Sequence, residues 1–232
     1  MPRALEETNI AEIAAAFAAD GSDIALGREA GRFVIRVNGR ILMSSGWTGS
    51  EGELARIGCG HLVKSASPEA LVAGLGFGYT LRAALDLLPA GARVTVAEIV
   101  PGVVEWNRTV LSELCARPLN DPRVQVWIGD VLDLLQISPG WFDAILLDVD
   151  NGPRSLSFDR NRRLYEAEGL QALRDALRPK GILTVWSADS DGEFIARLDE
   201  GGFVVESVAI PIARTARPLH CTVYRAWKKP AG

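Results

Sequence analysis

Hydrophobic and polar positions change their period at Glu69. From there on, short apolar runs alternate with amphipathic stretches. Ala70 to Ala73, Arg93 to Glu98, Val124 to Ile128, Ala144 to Leu147 and Ile182 to Trp186 read as strands. Helices are expected from Tyr79 to Leu88, after Pro101, from Leu164 to Leu177 and from Glu193 to Glu200. Arg178-Pro179-Lys180-Gly181 reads as a helix stop. Val204 to Ile210 and His220 to Lys228 follow each other with no helix between them. Alternating strands and helices predict a mostly parallel sheet covered on both faces, and the final pair predicts one antiparallel strand.

The segment before Glu69 follows other rules. Ile10 to Ala19 reads as a short helix stopped at Asp20-Gly21. Arg32 to Val37 and Arg40 to Met43 alternate around Asn38-Gly39, a hairpin signal because both turn residues tolerate positive φ. Ser50, with Glu53 three residues on, predicts a capping box for a helix through about Val63. Ser65 to Pro68 is the natural boundary. A small β-rich unit, residues 1–65, is expected to cover the site mouth of a second unit, residues 66–232.

Composition narrows the class. Of 232 residues, 48% are hydrophobic and 23% charged, which excludes disorder of the whole chain. The net charge of −4 argues against a general nucleic-acid or anionic-membrane binder. Cys59, Cys115 and Cys221 form neither a disulfide framework nor a metal cluster, so a reducing compartment and no metal are expected. No apolar run reaches membrane-spanning length, and Glu6, Glu7 and Glu12 do not suit a signal peptide. The expected location is the cytoplasm.

Four constellations carry candidate chemistry. Gly74-Leu75-Gly76-Phe77-Gly78 follows a strand and opens a helix, so a ligand can approach the backbone closely. Tyr79 breaks the dinucleotide fingerprint and disfavours a NAD-linked oxidoreductase. Glu98 ends the second strand, where a carboxylate can accept both hydroxyls of a ribose. Asp130 ends the third and can serve either an adenine amino group or the N-cap of Val131 to Leu135. Asp148 and Asp150 lie in Asp-Val-Asp-Asn-Gly-Pro after the fourth strand, where carboxylates can hold or deprotonate a cationic amine; turn formation is the competing reading. His61 and His220 have no catalytic partner in the sequence, and Trp106, Trp127 and Trp186 fall on core patterns. Trp47, in a loop, could cover a pocket. Arg160, Arg162 and Arg163 read as a solvated segment.

The segments LVAGLGFGYTLRAAL, VTVAEIVPGVVEWNR, DPRVQVWIGDVLDLL, FDAILLDVDNGP and LYEAEGLQALRDALRPKGILTVWS resemble, in order, the motifs of spermidine synthase-like proteins. The likeness spans about residues 24 to 228. It implies the class I S-adenosylmethionine-dependent methyltransferase fold: a Rossmann-like, seven-stranded, mostly parallel sheet with one antiparallel strand, plus a small N-terminal β hairpin domain. By the same resemblance, Gly74, Gly76 and Gly78 line the adenosyl and sulfonium site, Glu98 holds the ribose and Asp130 the adenine. Asp148 assists amine deprotonation, and Asp150 and Tyr165 serve the acceptor. A homodimer is allowed by analogy.

Three departures from the family pattern shape the expected function. The usual Gly-Gly-Gly-Asp-Gly has Phe77 at its acid, the usual Asp-Ser-Ser-Asp-Pro is altered, and a Tyr-His-Glu segment is replaced near Gly49-Ser50-Glu51. The expectation is a transferase that binds S-adenosylmethionine or its decarboxylated form, with a small-molecule acceptor such as an amine. Methyl transfer is slightly preferred, because Phe77 cannot bind an aminopropyl amine and glycine-loop N–H groups could donate to the carboxylate of S-adenosylmethionine. Aminopropyl transfer and a non-catalytic nucleoside-binding protein are the alternatives.

Overall fold

A computed structural model of the protein describes residues 11–18, 20–46, 49–154, 159–212 and 219–230. The N-terminal part is an antiparallel four-stranded sheet in sequence order: β1 (Ala11–Phe17), β2 (Asp23–Glu29), β3 (Arg32–Val37) and β4 (Arg40–Ser44). The β3–β4 turn has φ of 49° at Asn38 and 77° at Gly39, as the hairpin signal requires.

One expectation fails in this part, and one strand was unforeseen. Ala11–Phe17 is a strand rather than a helix; it pairs with β2 from Ala11 opposite Arg28 to Phe17 opposite Asp23. Pairing and packing override alanine's helix propensity here. The small side chain of Ala16 sits so close to Gly102 that a Cβ on that glycine would overlap it. β2 itself was not foreseen, although its buried Ile24 and Leu26 alternate with more exposed positions.

Next comes α1 (Ser50–Cys59), extended by a 3-10 turn to Leu62. The capping box does not form. Gly49 is the N-cap at φ 119°, and the Ser50 hydroxyl donates instead to Glu51 Oε2 at 2.9 Å. α1 packs on α2 (Tyr79–Leu87) and reaches β8 (Phe142–Leu147) and β9 (Leu177–Ser187) of the second sheet.

That sheet contains β5 (Glu69–Ala73), β6 (Arg93–Glu98), β7 (Val124–Ile128), β8, β9, β10 (Phe203–Pro211) and β11 (His220–Lys228). Their order is β10-β11-β9-β8-β5-β6-β7. β11 runs antiparallel to both neighbours; the pairs from β9 to β7 are parallel. Successive residues of β5 serve opposite faces, as a buried strand demands. Ala70 and Val72 join a core with α1, α2 and α3 (Pro101–Arg108), whereas Leu71 and Ala73 join one with α4 (Val131–Gln136), α5 (Ala167–Ala176) and α6 (Gly192–Glu200).

Two boundaries also move. The expected helix at Leu164 starts later, because Leu164 and Tyr165 close a 3-10 segment and Glu166 is extended. The expected stop Arg178–Gly181 lies within β9, where the register against β8 shifts and Lys180 has φ 68°.

Candidate functional site

The winding of the large sheet reverses between β5 and β8, the place where open α/β sheets bind ligands. The glycine loop leaves β5 and the Asp148 loop leaves β8, side by side. They bound a cavity of about 480 Å³, a size typical of small-molecule sites. Its opposite wall is aliphatic and comes from the N-terminal sheet: Ile24, Ile35, Val37, Leu42 and Met43.

The glycines have different tasks. Gly74, at φ 90°, lets the two loops touch, since a Cβ there would overlap the Asp148 carbonyl oxygen. Gly76 lines the cavity at φ 49°, and a Cβ would press on the Met43 side chain at 2.7 Å. Gly78 is outside the lining; at φ 87° it packs toward Asn107 and Pro118. Phe77 also turns away, buried in the core with its ring edge-on to Tyr79 at 6.1 Å.

Glu98 is buried at the end of β6 and lines the cavity. Oε2 accepts the Leu75 N–H at 3.0 Å and Oε1 the Val100 N–H at 2.9 Å, with the Gly76 and Ile99 N–H groups also facing it. Burial raises its pKa and these N–H groups oppose the rise. The Gly74 N–H goes to the Ala97 carbonyl and the Gly78 N–H to that of Leu75. The loop N–H groups of Gly74, Leu75 and Gly78 are therefore already engaged.

Asp130 is the N-cap of α4: Oδ1 accepts the Leu132 N–H at 2.9 Å. Its other oxygen accepts from Arg160 Nε at 2.8 Å, so Arg160 is an ion-pair partner rather than part of a solvated run. Asp130 still lines the cavity between Gly129 and Val131.

Asp148 sits at the meeting point of the loops, and its backbone N–H donates to Ala73. Thr80, buried in the first turn of α2, donates its hydroxyl to Asp148 Oδ2 at 2.5 Å. Burial pushes the Asp148 carboxyl up to about 7; the Thr80 bond opposes the rise, and the negative charge of Glu51 adds to it. Asp150, at φ 56°, lines the cavity and accepts the Asn161 amide at 2.5 Å. Tyr165 lies outside the lining. It is buried against Phe194 and its hydroxyl donates to the Val149 carbonyl at 2.9 Å, which braces the backbone between the two aspartates. Trp106 is core, Trp186 borders the cavity, and Trp47 lies outside the described residues.

Sequence reasoning missed Glu51 and Thr80 as site residues. Glu51 lines the cavity from the first turn of α1. Among the described lining residues, the charged side chains are Glu51, Glu98, Asp130, Asp148 and Asp150; none is Lys, Arg or His.

The profile of the spermine/spermidine synthase domain matches residues 58–191, more than half the chain. The chain belongs to the spermine/spermidine synthase family. The polyamine aminopropyltransferase of Mycobacterium tuberculosis is 31% identical over 126 residues, covering 53% of this chain and 23% of the relative. That of Nitrosomonas europaea is 33% identical over 119 residues, covering 50% of this chain and 34% of the relative. The chain thus matches about a quarter to a third of the length of these curated relatives. In structure it is similar to the spermidine synthase from Thermotoga maritima, with a TM-score of 0.74 at 18% identity over 93% of this chain and 72% of that one. A spermidine synthase in complex with the transition-state analogue AdoDATO has a TM-score of 0.72, again at 18% identity and covering 93% and 72% of the two chains. These likenesses bear on the fold. The names of the curated relatives favour aminopropyl transfer over the methyl transfer preferred from sequence. The family stretch includes Gly74, Glu98, Asp130, Asp148 and Asp150, and excludes Glu51.

Proposed function

We propose that this protein transfers an aminopropyl group from decarboxylated S-adenosylmethionine to a small amine. The carrying observation is the charge of the cavity: five carboxylates and no basic side chain among the described lining residues. Such a wall attracts a cationic sulfonium donor and a cationic amine, and repels a donor that keeps its carboxylate. The engaged N–H groups of Gly74, Leu75 and Gly78 weaken one of the two reasons for preferring ordinary S-adenosylmethionine.

In this reading, residues 66–232 bind the donor and residues 1–65 close the cavity. Glu98 takes the ribose and Asp130 the adenine end. Gly76 leaves room for the donor beside Met43. Asp148 first binds the acceptor ammonium and then takes its proton. The freed nitrogen lone pair forms the C–N bond as the C–S bond breaks, and methylthioadenosine leaves as a neutral thioether. An acid near 7 suits this work, because it accepts a proton at neutral pH without being a weak base. Asp150 and its Asn161 partner shape the acceptor side, and Tyr165 supports them from the core.

The test is methylthioadenosine release from the decarboxylated donor with a panel of small amines. Asp148→Asn should lower turnover by about 10²–10⁴-fold with donor affinity nearly unchanged. Equal turnover by the variant would remove Asp148 from the chemistry.

A further inference from the structure

The glycine loop is held by two side chains that do not line the cavity. Asn107, buried in the last turn of α3, donates from Nδ2 to the Gly76 carbonyl at 2.8 Å and to the Val103 carbonyl at 2.9 Å. Cys115, buried at the end of the 3-10 turn Ser112–Cys115, donates its thiol to the Phe77 carbonyl at 3.3 Å. Burial pushes that thiol up to about 12, so it keeps the proton it donates. Adjacent carbonyls at the tip of the loop are thus capped from α3 and from the turn that follows it. The residue types fit the task. A carboxamide NH₂ offers two hydrogens in a fixed fork, and both meet carbonyl oxygens here; turned the other way, Oδ1 would face the same oxygens without a proton. Gly78 leaves the clamp room, because a Cβ there would stand 3.0 Å from Asn107 Oδ1 and 3.9 Å from Cys115 Cβ. Val103 lines the cavity, so one amide ties the loop to the wall beside it.

The need for such a tie is conformational. Gly74, Gly76 and Gly78 all have positive φ, and a segment built on glycine loses the most entropy in adopting one shape. Glu98 restrains the loop through the Leu75 N–H, with the Gly76 N–H also facing it; Asn107 takes the carbonyl of that same glycine. We infer that Asn107 and Cys115 are positioning residues for the adenosyl donor: they fix the Gly76–Phe77 segment in the shape the donor meets, and so set donor affinity without touching the donor. This rests on the proposed donor site and adds to it. A loop ordered in advance loses less freedom when the donor binds.

The experiment is calorimetric titration of the full chain by methylthioadenosine, for the wild type, Asn107→Leu, Cys115→Ala, Cys115→Ser and Val104→Ala. Val104 is the control. It is buried on α3 in the same core and is absent from the cavity lining, so its truncation loosens the helix packing alone. Asn107→Leu should weaken binding by about three- to tenfold, the scale of one neutral hydrogen bond, and Cys115→Ala by about two- to threefold, since a thiol is a weaker donor. Cys115→Ser keeps a donor and should bind as the wild type does; Val104→Ala should melt earlier and still bind as the wild type does. In turnover, Asn107→Leu should raise the KM for the decarboxylated donor by the same factor with kcat unchanged. Asn107→Leu and Cys115→Ala proteins that bind methylthioadenosine as tightly as the wild type, or a Val104→Ala protein weakened as much as Asn107→Leu, overturn the positioning role and leave the proposed function standing. A wild type that does not bind methylthioadenosine overturns the proposed donor site, and the positioning role with it.

Discussion

Removing the Thr80 hydroxyl should shift the pH at which the proposed transfer runs. Thr80→Val replaces the 2.5 Å donor to Asp148 with a methyl group of similar size. The hydrogen bond favours the ionised carboxylate, so its loss raises a pKa already near 7. A hydrogen bond to a charged group is worth roughly 1.5–3 kcal/mol, and each 1.36 kcal/mol is one pKa unit, so the rise is about 1–2 units. At pH 7 the ionised fraction drops from about one half to between roughly 0.1 and 0.01, so kcat/KM should fall about 5- to 50-fold. At pH 9 most of the loss should be recovered. The assay is the pH profile of kcat/KM for methylthioadenosine release, with Thr80→Ser as the variant that keeps the hydroxyl. An acid limb at the same pH in wild type and Thr80→Val would refute Thr80 as the residue that positions Asp148.

Glu98→Gln should weaken binding of the adenosyl donor by about 1.5–3 kcal/mol in calorimetry, since a ribose hydroxyl loses its charged acceptor. The same variant should melt earlier, because its amide NH₂ would face the backbone N–H groups of Leu75 or Val100. Asp148→Asn should be more stable than wild type at alkaline pH. A carboxyl with a raised folded pKa stabilises fully below its unfolded pKa near 4, and that contribution is lost as pH rises through about 7. The gain at pH 8 should be about 1–3 kcal/mol, reduced from roughly 4 kcal/mol because the side chain is partly open to solvent. Thermal melts at pH 5 and pH 8 check it, and a gain that does not grow with pH contradicts the assignment.

The large sheet was legible because each strand is a short apolar run closed by a turn, and because the chemistry-bearing residues stand at strand ends. Glu98 and Asp148 could be placed at one edge by counting elements. Ala11–Phe17 could not be read correctly: seven residues with four alanines carry a helical preference, and the strand exists only because β2 pairs with it. Phe77 looked like a replaced ligand contact, but nothing in a glycine-rich segment tells which way its one large side chain turns. Glu51 was invisible as a site residue for a related reason. It shares the cavity with Asp148 only through the packing of α1 on β8 and β9, whereas its local signal, an acid in a first helical turn, is common to many helices. The preference for methyl transfer came from the missing acid at Phe77 and from loop N–H groups counted as free. The engagement of the Gly74, Leu75 and Gly78 N–H groups by Glu98 and by neighbouring carbonyls is a tertiary fact that spacing does not encode.

The most direct measurement is the affinity of the protein for decarboxylated S-adenosylmethionine against that for S-adenosylmethionine, by calorimetry at pH 7.5. A cavity lined by five carboxylates and no basic side chain among its described residues should bind the decarboxylated form at least about tenfold more tightly, the scale of one unpaired or repelled charge. Equal binding, or tighter binding of the carboxylate-bearing donor, would contradict the account.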